Sequence, residues 1–221
     1  MDATKPIRLA YHGSLARLLP ALLVNGRSEA DFEFLRYEVS DPFAVLRSGA
    51  ADVLVVKFVP READLAWCLA PATDQRAVAV GNGHPLAGRD SVSIEEVAAY
   101  RAFRKPPGLP GYIWDEMVPP RTPRGRPIDR GEPAESTPQL LEVVASGRAV
   151  HISLLSLADA APEGVRLVPV HDLPPAPVVL AWRQGRYPAH VPRFIADVQR
   201  APHSITTSDE PRSSISAKKP A

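Results

Sequence analysis

This chain is short of several things, and each shortage closes off a class of function. It has one cysteine, Cys68, in 221 residues, so no intrachain disulfide can form. Cys68 lies in the apolar run LAWCLAP, which suits a buried core position better than a nucleophile. No stretch of ~18 apolar residues is present, so no membrane span is expected. The opening MDATKPIRLAYHGS has no apolar core of a secretory signal, and a cytoplasmic location follows by default. Lys+Arg number 26 against 25 Asp+Glu, a net charge of +1. Nucleic-acid binders usually carry a basic face, so direct nucleic-acid binding is not expected. There is no G-x-S-x-G elbow, Walker loop, C-x-x-C or H-E-x-x-H. Gly81-Asn82-Gly83 lacks the third glycine and the helix start of a dinucleotide fingerprint. No recognisable spacing of metal ligands is seen, and no cofactor or metal is expected.

What is present reads as a globular α/β chain. Hydrophobic residues make up 45%, and 25 prolines give about twice the ~5% of average usage. Ile7–Tyr11 suits a strand, and His12-Gly13 a turn. Ser14 can cap a helix whose Leu15, Leu18, Leu19 and Leu22 follow the 3.6-residue period. Phe32–Val39 reads as a second strand. Asp41-Pro42 reads as a helix start, with Asp capping and Pro in the first turn. Asp52–Phe58 is a nearly continuous apolar strand, as in a buried parallel sheet. This β-α-β-α-β opening predicts an α/β domain with right-handed crossovers. Leu65–Leu69 and Arg76–Val80 are further strands, and Ser93-Ile94-Glu95-Glu96 is a capping box.

Residues 105–135 are rich in proline, glycine and arginine and are expected to form a long irregular loop. Order returns at Ser136-Thr137-Pro138-Gln139, a capped helix start with Leu140, Leu141, Val144 and Ala145 as its buried stripe. Ala149–Ser153, Val165–Pro169 and Val178–Trp182 read as strands, and Pro192–Arg200 as the last helix. The tail 201–221 is rich in Ser, Thr, Pro and Lys and is expected to be disordered.

Several phrases are similar to those of a known family. Residues 46–55, LRSGAADVLV, resemble "L-x-x-G-x-x-D" followed by an apolar run, and residues 83–87 resemble its "HPLA" turn. Val143–Gly147 looks like "VAAG" and Leu180–Arg183 like "LAWR". In order and spacing they resemble the effector-binding domain of LysR-type transcriptional regulators over roughly residues 5–200. One departure stands out. Where family members often read "GxGVALLP", this chain has Arg148-Ala149-Val150-His151-Ile152-Ser153, with polar groups on a strand that is usually apolar.

The resemblance implies a periplasmic-binding-protein-like fold: two α/β subdomains joined by two crossover strands, with a ligand cleft between them. The first subdomain is expected at 5–73 plus 164–200 and the second at 74–163. In the family a helix-turn-helix and linker helix come first, whereas this sequence enters the sensing fold by Ile7. The expectation is therefore a sensor without its own DNA reader. It would bind a small, anionic effector as a homo-oligomer, or as a hetero-oligomer with a full-length LysR-type regulator. A stand-alone enzyme using the same cleft is the alternative, and an extracytoplasmic transport receptor the third reading.

The ligand should lie where helix N-termini face the cleft, since free N–H groups and a partial positive charge suit a carboxylate. The candidates are His12, Gly13 and Ser14 after the first strand, and Ser136 and Thr137 in the second half. The resemblance favours Ser14; the plain alternative is that each hydroxyl caps its own helix. Arg104 can pair with an anion or sit in a solvated turn. His151 and Ser153 are candidates from the departed strand; His12 and His151 either face each other across the cleft or are each ordinary solvated or hydrogen-bonded histidines. Trp114 either walls the pocket or anchors its loop on the core.

Overall fold

The computed structural model describes residues 5–37 and 39–201. Among these residues, eight strands form two sheets. In the first, β1 (Ile7–Tyr11), β2 (Phe32–Arg36) and β3 (Val53–Val56) are parallel neighbours. The sheet is completed by β8 (Ala176–Arg183) and β4 (Leu65–Asp74), in the order β2-β1-β3-β8-β4. The second sheet has β5 (Arg76–Gly81) at its centre, flanked by β6 (His151–Leu154) and β7 (Val165–Pro169), all antiparallel.

Only Gln75 separates β4 from β5, so the chain passes directly from one sheet to the other. The return passage, after β7, enters β8 beside it: Asp74 pairs with Ala176 and Thr73 with Pro177. Two adjacent passages thus join the two halves. The return passage corrects one expected boundary. Val165–Pro169 pairs with β5 across five positions, so the chain re-enters the first half after residue 170, not at 164. An apolar strand declares its burial but not its sheet partner.

Helix α1 (Leu15–Leu22) starts where expected, with Ser14 accepting from the Arg17 amide at 3.4 Å. It packs with α6 (Val191–Arg200) on the outer face of the first sheet. Leu18 and Leu22 share one buried cluster there with Leu9, Leu180 and Phe194. Each such side chain contributes roughly 1.5–3 kcal/mol by leaving water. Helix α2 (Ala44–Arg47) is shorter than the Asp41-Pro42 signal implies. Phe43 occupies the cap position, and Asp41 contributes only its carbonyl, to the Ala44 amide at 3.4 Å. Phe43 and Leu46 are driven into the core, which sets where the turn winds.

In the second half, α3 (Ile94–Val97) carries the expected capping box on Ser93 and Glu96. The expected irregular stretch 105–135 contains a helix, α4 (Gly111–Met117), whose Ile113 and Trp114 are buried. Proline and glycine on both sides concealed it. Helix α5 (Thr137–Ala145) is capped by Ser136 and buries Leu141, Val143 and Val144. Its C-terminal carbonyls lie over Gly81, where an added Cβ would sit 2.8 Å from the Val144 and Ala145 oxygens. The expectation of disorder over 201–221 falls, apart from Ala201, outside the described residues.

Candidate functional site

Parallel strands leave their C-terminal ends at the same edge of a sheet, and here that edge meets the second half. Lys57 directly follows β3 and pairs with Asp74 at the end of β4. The other Asp74 oxygen accepts the Ser156 amide at 3.2 Å. Ser156 belongs to a short 3-10 segment, Leu155–Ala160, that follows β6. Its hydroxyl would lie 3.7 Å from a Cβ added at Gly13, just after β1. Gly13 has φ +81°, a left-handed conformation that glycine adopts without a Cβ clash. The seam between the halves therefore brings together Gly13, Lys57, Asp74 and Ser156.

The N-terminus of α1 faces this seam and already holds an anion. Arg17 Nε lies 3.2 Å from Oδ2 of Asp159, and Ser14 also hydrogen-bonds that carboxylate. Burial acts to raise the Asp159 carboxyl, but the bonds from Ser14 and Arg17 and the Arg17 charge outweigh it. The group sits below the ordinary carboxylate range. Asp159 comes from the second half and Ser14 from the first, so this contact spans the seam. His12 is half-buried beside it, its ring 5.7 Å from that of Tyr37.

Deeper in the second half lies a group of buried polar atoms without partners among the described residues: Nε of Arg76, Nε1 of Trp114 and Nδ1 of His151. His151 stacks on Trp114 at 6.3 Å between centroids and meets the edge of Phe103 at 5.8 Å. Burial, assisted by the Arg76 charge, pushes the His151 imidazole down to about 4. It is therefore neutral at pH 7. Arg76 donates to the carbonyls of Glu116 (3.1 Å) and Met117, closing the C-terminal end of α4. Burial lowers the Arg76 pKa, against the raising effect of Glu116 and Asp74. Buried donors left unpaired cost on the order of 1–3 kcal/mol each, so this cluster would gain from a polar guest.

The sequence-derived candidates thus separate. His12, Gly13 and Ser14 gather at the seam with Ser156 and Asp159. Ser153 and His151 share the β6 face opposite Ala77 and Ala79. His151 takes Trp114 and Phe103 as its aromatic neighbours, whereas His12 takes Tyr37. Arg104 is exposed, its amide bonded to the Glu132 carbonyl at 2.9 Å. Ser136 and Thr137 are exposed at the start of α5, where the Ser136 hydroxyl accepts the Gln139 amide at 3.4 Å. Sequence reasoning passed over Lys57, Asp74, Arg76, Ser156 and Asp159. One signal was available: a charged residue at the C-terminal end of an apolar parallel strand, as Lys57 is, marks the edge where open α/β sheets bind ligands. Among the described residues no cluster of three or more His, Cys, Asp or Glu could hold a metal. No helix there is long and apolar enough to cross a membrane.

A family model described as the LysR substrate binding domain matches residues 6–201. The chain belongs to this family. This LysR substrate-binding domain is similar to CbnR, a LysR family transcriptional regulator, with a TM-score of 0.67 and 17% identity over 89% of this chain and 69% of CbnR. It is also similar to the effector binding domain of QuiR in complex with shikimate (TM-score 0.62, 17% identity, 87% of this chain and 94% of that one). The BenM effector binding domain with its effector benzoate matches with a TM-score of 0.60 and 17% identity, over 90% and 92% of the two chains. No curated protein matches the sequence. At such identities the likeness is one of fold. It is the periplasmic-binding-protein-like architecture expected of this LysR substrate-binding domain, with two α/β halves and two passages between them.

Proposed function

We propose that this LysR substrate-binding domain senses a small carboxylate at the seam, in the control of transcription. The observation that carries the reading is the cradle at the start of α1. Ser14 and Arg17 bind a carboxylate, that of Asp159, contributed from across the seam, and Gly13 precedes them in the turn beside Ser156. A cradle satisfied by an internal carboxylate has the chemistry for an external one. The ligands named for the related domains, shikimate and benzoate, are carboxylic acids. Here the effector would displace Asp159, with His12 and Ser156 beside it. Ser153, His151, Trp114 and Arg76 would contribute from the second half. Exchanging the Asp159 contact for a ligand changes what holds the two halves together, which is how binding becomes a conformational signal.

The domain acts in the cytoplasm, as an oligomer with itself or with a full-length LysR-type regulator, and performs no catalysis. DNA contact is assigned to a helix-turn-helix and not to residues 6–201. The test is calorimetric titration with a carboxylate panel that includes benzoate and shikimate. Asp159→Asn removes the internal competitor and should tighten binding. Ser14→Ala should weaken it roughly ten- to a hundredfold, by about 1.5–3 kcal/mol. Equal affinities in the wild type and both variants would place the ligand elsewhere.

A further inference from the structure

We infer that a second anion site, for a small phosphomonoester with an apolar substituent, lies at the opposite end of the first sheet. A cavity of about 390 Å³ opens there, lined by Arg8, Arg47, Arg183 and Arg186 together with Asp52 and Tyr187. Arg8 lies near the start of β1, Asp52 just precedes β3, and Arg183 ends the antiparallel β8. These positions mark the edge remote from the seam, so the cavity is independent of the carboxylate site.

The charge in this cavity does not balance. Asp52 is fully engaged by Arg8, accepting its amide at 3.0 Å, Nε at 3.2 Å and Nη2 at 2.6 Å. Asp64, outside the lining, accepts Nε and Nη2 of Arg47 at 3.0 Å each. Arg183 donates one hydrogen bond, to the Arg47 carbonyl at 3.2 Å. Neither Arg183 nor Arg186 forms an ion pair among the described residues. A turn through Gly185 (φ +69°), closed by Arg186 N to Arg183 O at 3.3 Å, brings the two together. Four guanidinium groups thus line one concavity beside a single carboxylate, and Asp64 outside it also attracts Arg183 at longer range, so the lining keeps a positive charge and its arginines repel one another. That repulsion is relieved by a dianion, and the planar donor forks match phosphate oxygens in pairs.

The body of the ligand follows from the next wall. Tyr187, exposed for its size, borders both this cavity and an apolar one of about 140 Å³ formed with Trp182, Val191, Pro192 and Ile195. A doubly charged head among the arginines places a flat or aliphatic substituent over Tyr187 and Trp182. Duplex DNA fits less well, because the chain carries a net charge of only +1 and the basic lining is concave and local.

The probes are phenyl phosphate, inorganic phosphate, benzoate and a random DNA duplex, titrated calorimetrically at low salt. Phenyl phosphate should bind with a Kd below about 1 mM and more tightly than inorganic phosphate or benzoate. Arg183→Gln/Arg186→Gln should weaken it tenfold or more with only a small change in melting temperature, since neither residue is ion-paired and Arg183 loses a single solvent-exposed hydrogen bond. Arg186→Gln alone, at an exposed position, supplies the same test if the double variant folds poorly. Ser14→Ala, which alters the seam, and Arg124→Gln, elsewhere on the surface, should leave phenyl phosphate binding intact. No saturable phenyl phosphate binding overturns the inference. So does equal loss in Arg124→Gln, or duplex binding that depends on Arg183 and Arg186 while phenyl phosphate fails to bind.

Discussion

The pair Lys57–Asp74 should dominate the stability of the junction between the halves. The Asp74 side chain is 3% exposed and that of Lys57 14%. Asp74 also accepts the Ser156 amide, so one carboxylate ties the end of β3, the end of β4 and the 3-10 segment of the second half. Lys57→Met preserves most of the apolar stem and deletes the charge, leaving a buried carboxylate with a single amide donor. Removing one member of a buried ion pair costs about 3–5 kcal/mol. Asp74→Leu should cost less, about 1–3 kcal/mol, because the Lys57 ammonium can reach solvent on its stem and the main loss is the acceptor for Ser156. In Lys57→Met/Asp74→Leu neither member of the pair is left without the other, and Arg76 keeps its two carbonyl acceptors, so the double variant should be more stable than Lys57→Met by at least about 1 kcal/mol. The assay is urea unfolding followed by circular dichroism at pH 7. For a slope of about 2–3 kcal/mol per molar urea, Lys57→Met should lower the midpoint by roughly 1–2 M. A shift under about 0.3 M, or a double variant no more stable than Lys57→Met, would refute the reasoning.

Three further outcomes are expected. His151 has a folded pKa of about 4 against the unfolded 6.5, so the unfolded chain takes the proton first as pH falls. Its contribution is fully present above about pH 6.5 and is lost towards pH 4. Between pH 7 and pH 5 unfolding measurements should show a loss of about 2 kcal/mol that His151→Gln abolishes, and an unchanged slope in that variant would count against a buried neutral imidazole. Cys68 is buried and its thiol is pushed up to about 11 by burial, so a disulfide reagent at pH 8 should modify it only as fast as the chain unfolds. Gly81→Ala should destabilise by about 1–3 kcal/mol through its contact with two backbone oxygens of α5, measured by urea midpoint, while leaving ligand affinity at the seam unchanged.

The local order of the chain could be read without a structure. The run Ile7–Tyr11, the cap at Ser14, the box at Ser93–Glu96 and the cap at Ser136 each depend on residues within one turn or one strand, and all four elements lie where their residues direct. The ordered phrases around Gly49, His84, Gly147 and Trp182 carried the family and its fold. Tertiary structure alone decided which sheet Val165–Pro169 joins, since the partner strand begins 89 residues earlier, at Arg76. It also decided that α4 forms in a stretch dense with helix breakers, where Trp114 packs against His151 and Arg76 closes the last turn. The seam itself is a long-range product. Asp159 reaches Arg17 across 142 positions and Ser156 reaches Asp74 across 82. Periodicity and capping report the face a residue buries and the turn it ends. Which distant charge meets it depends on how the two halves close on each other, and no local pattern encodes that.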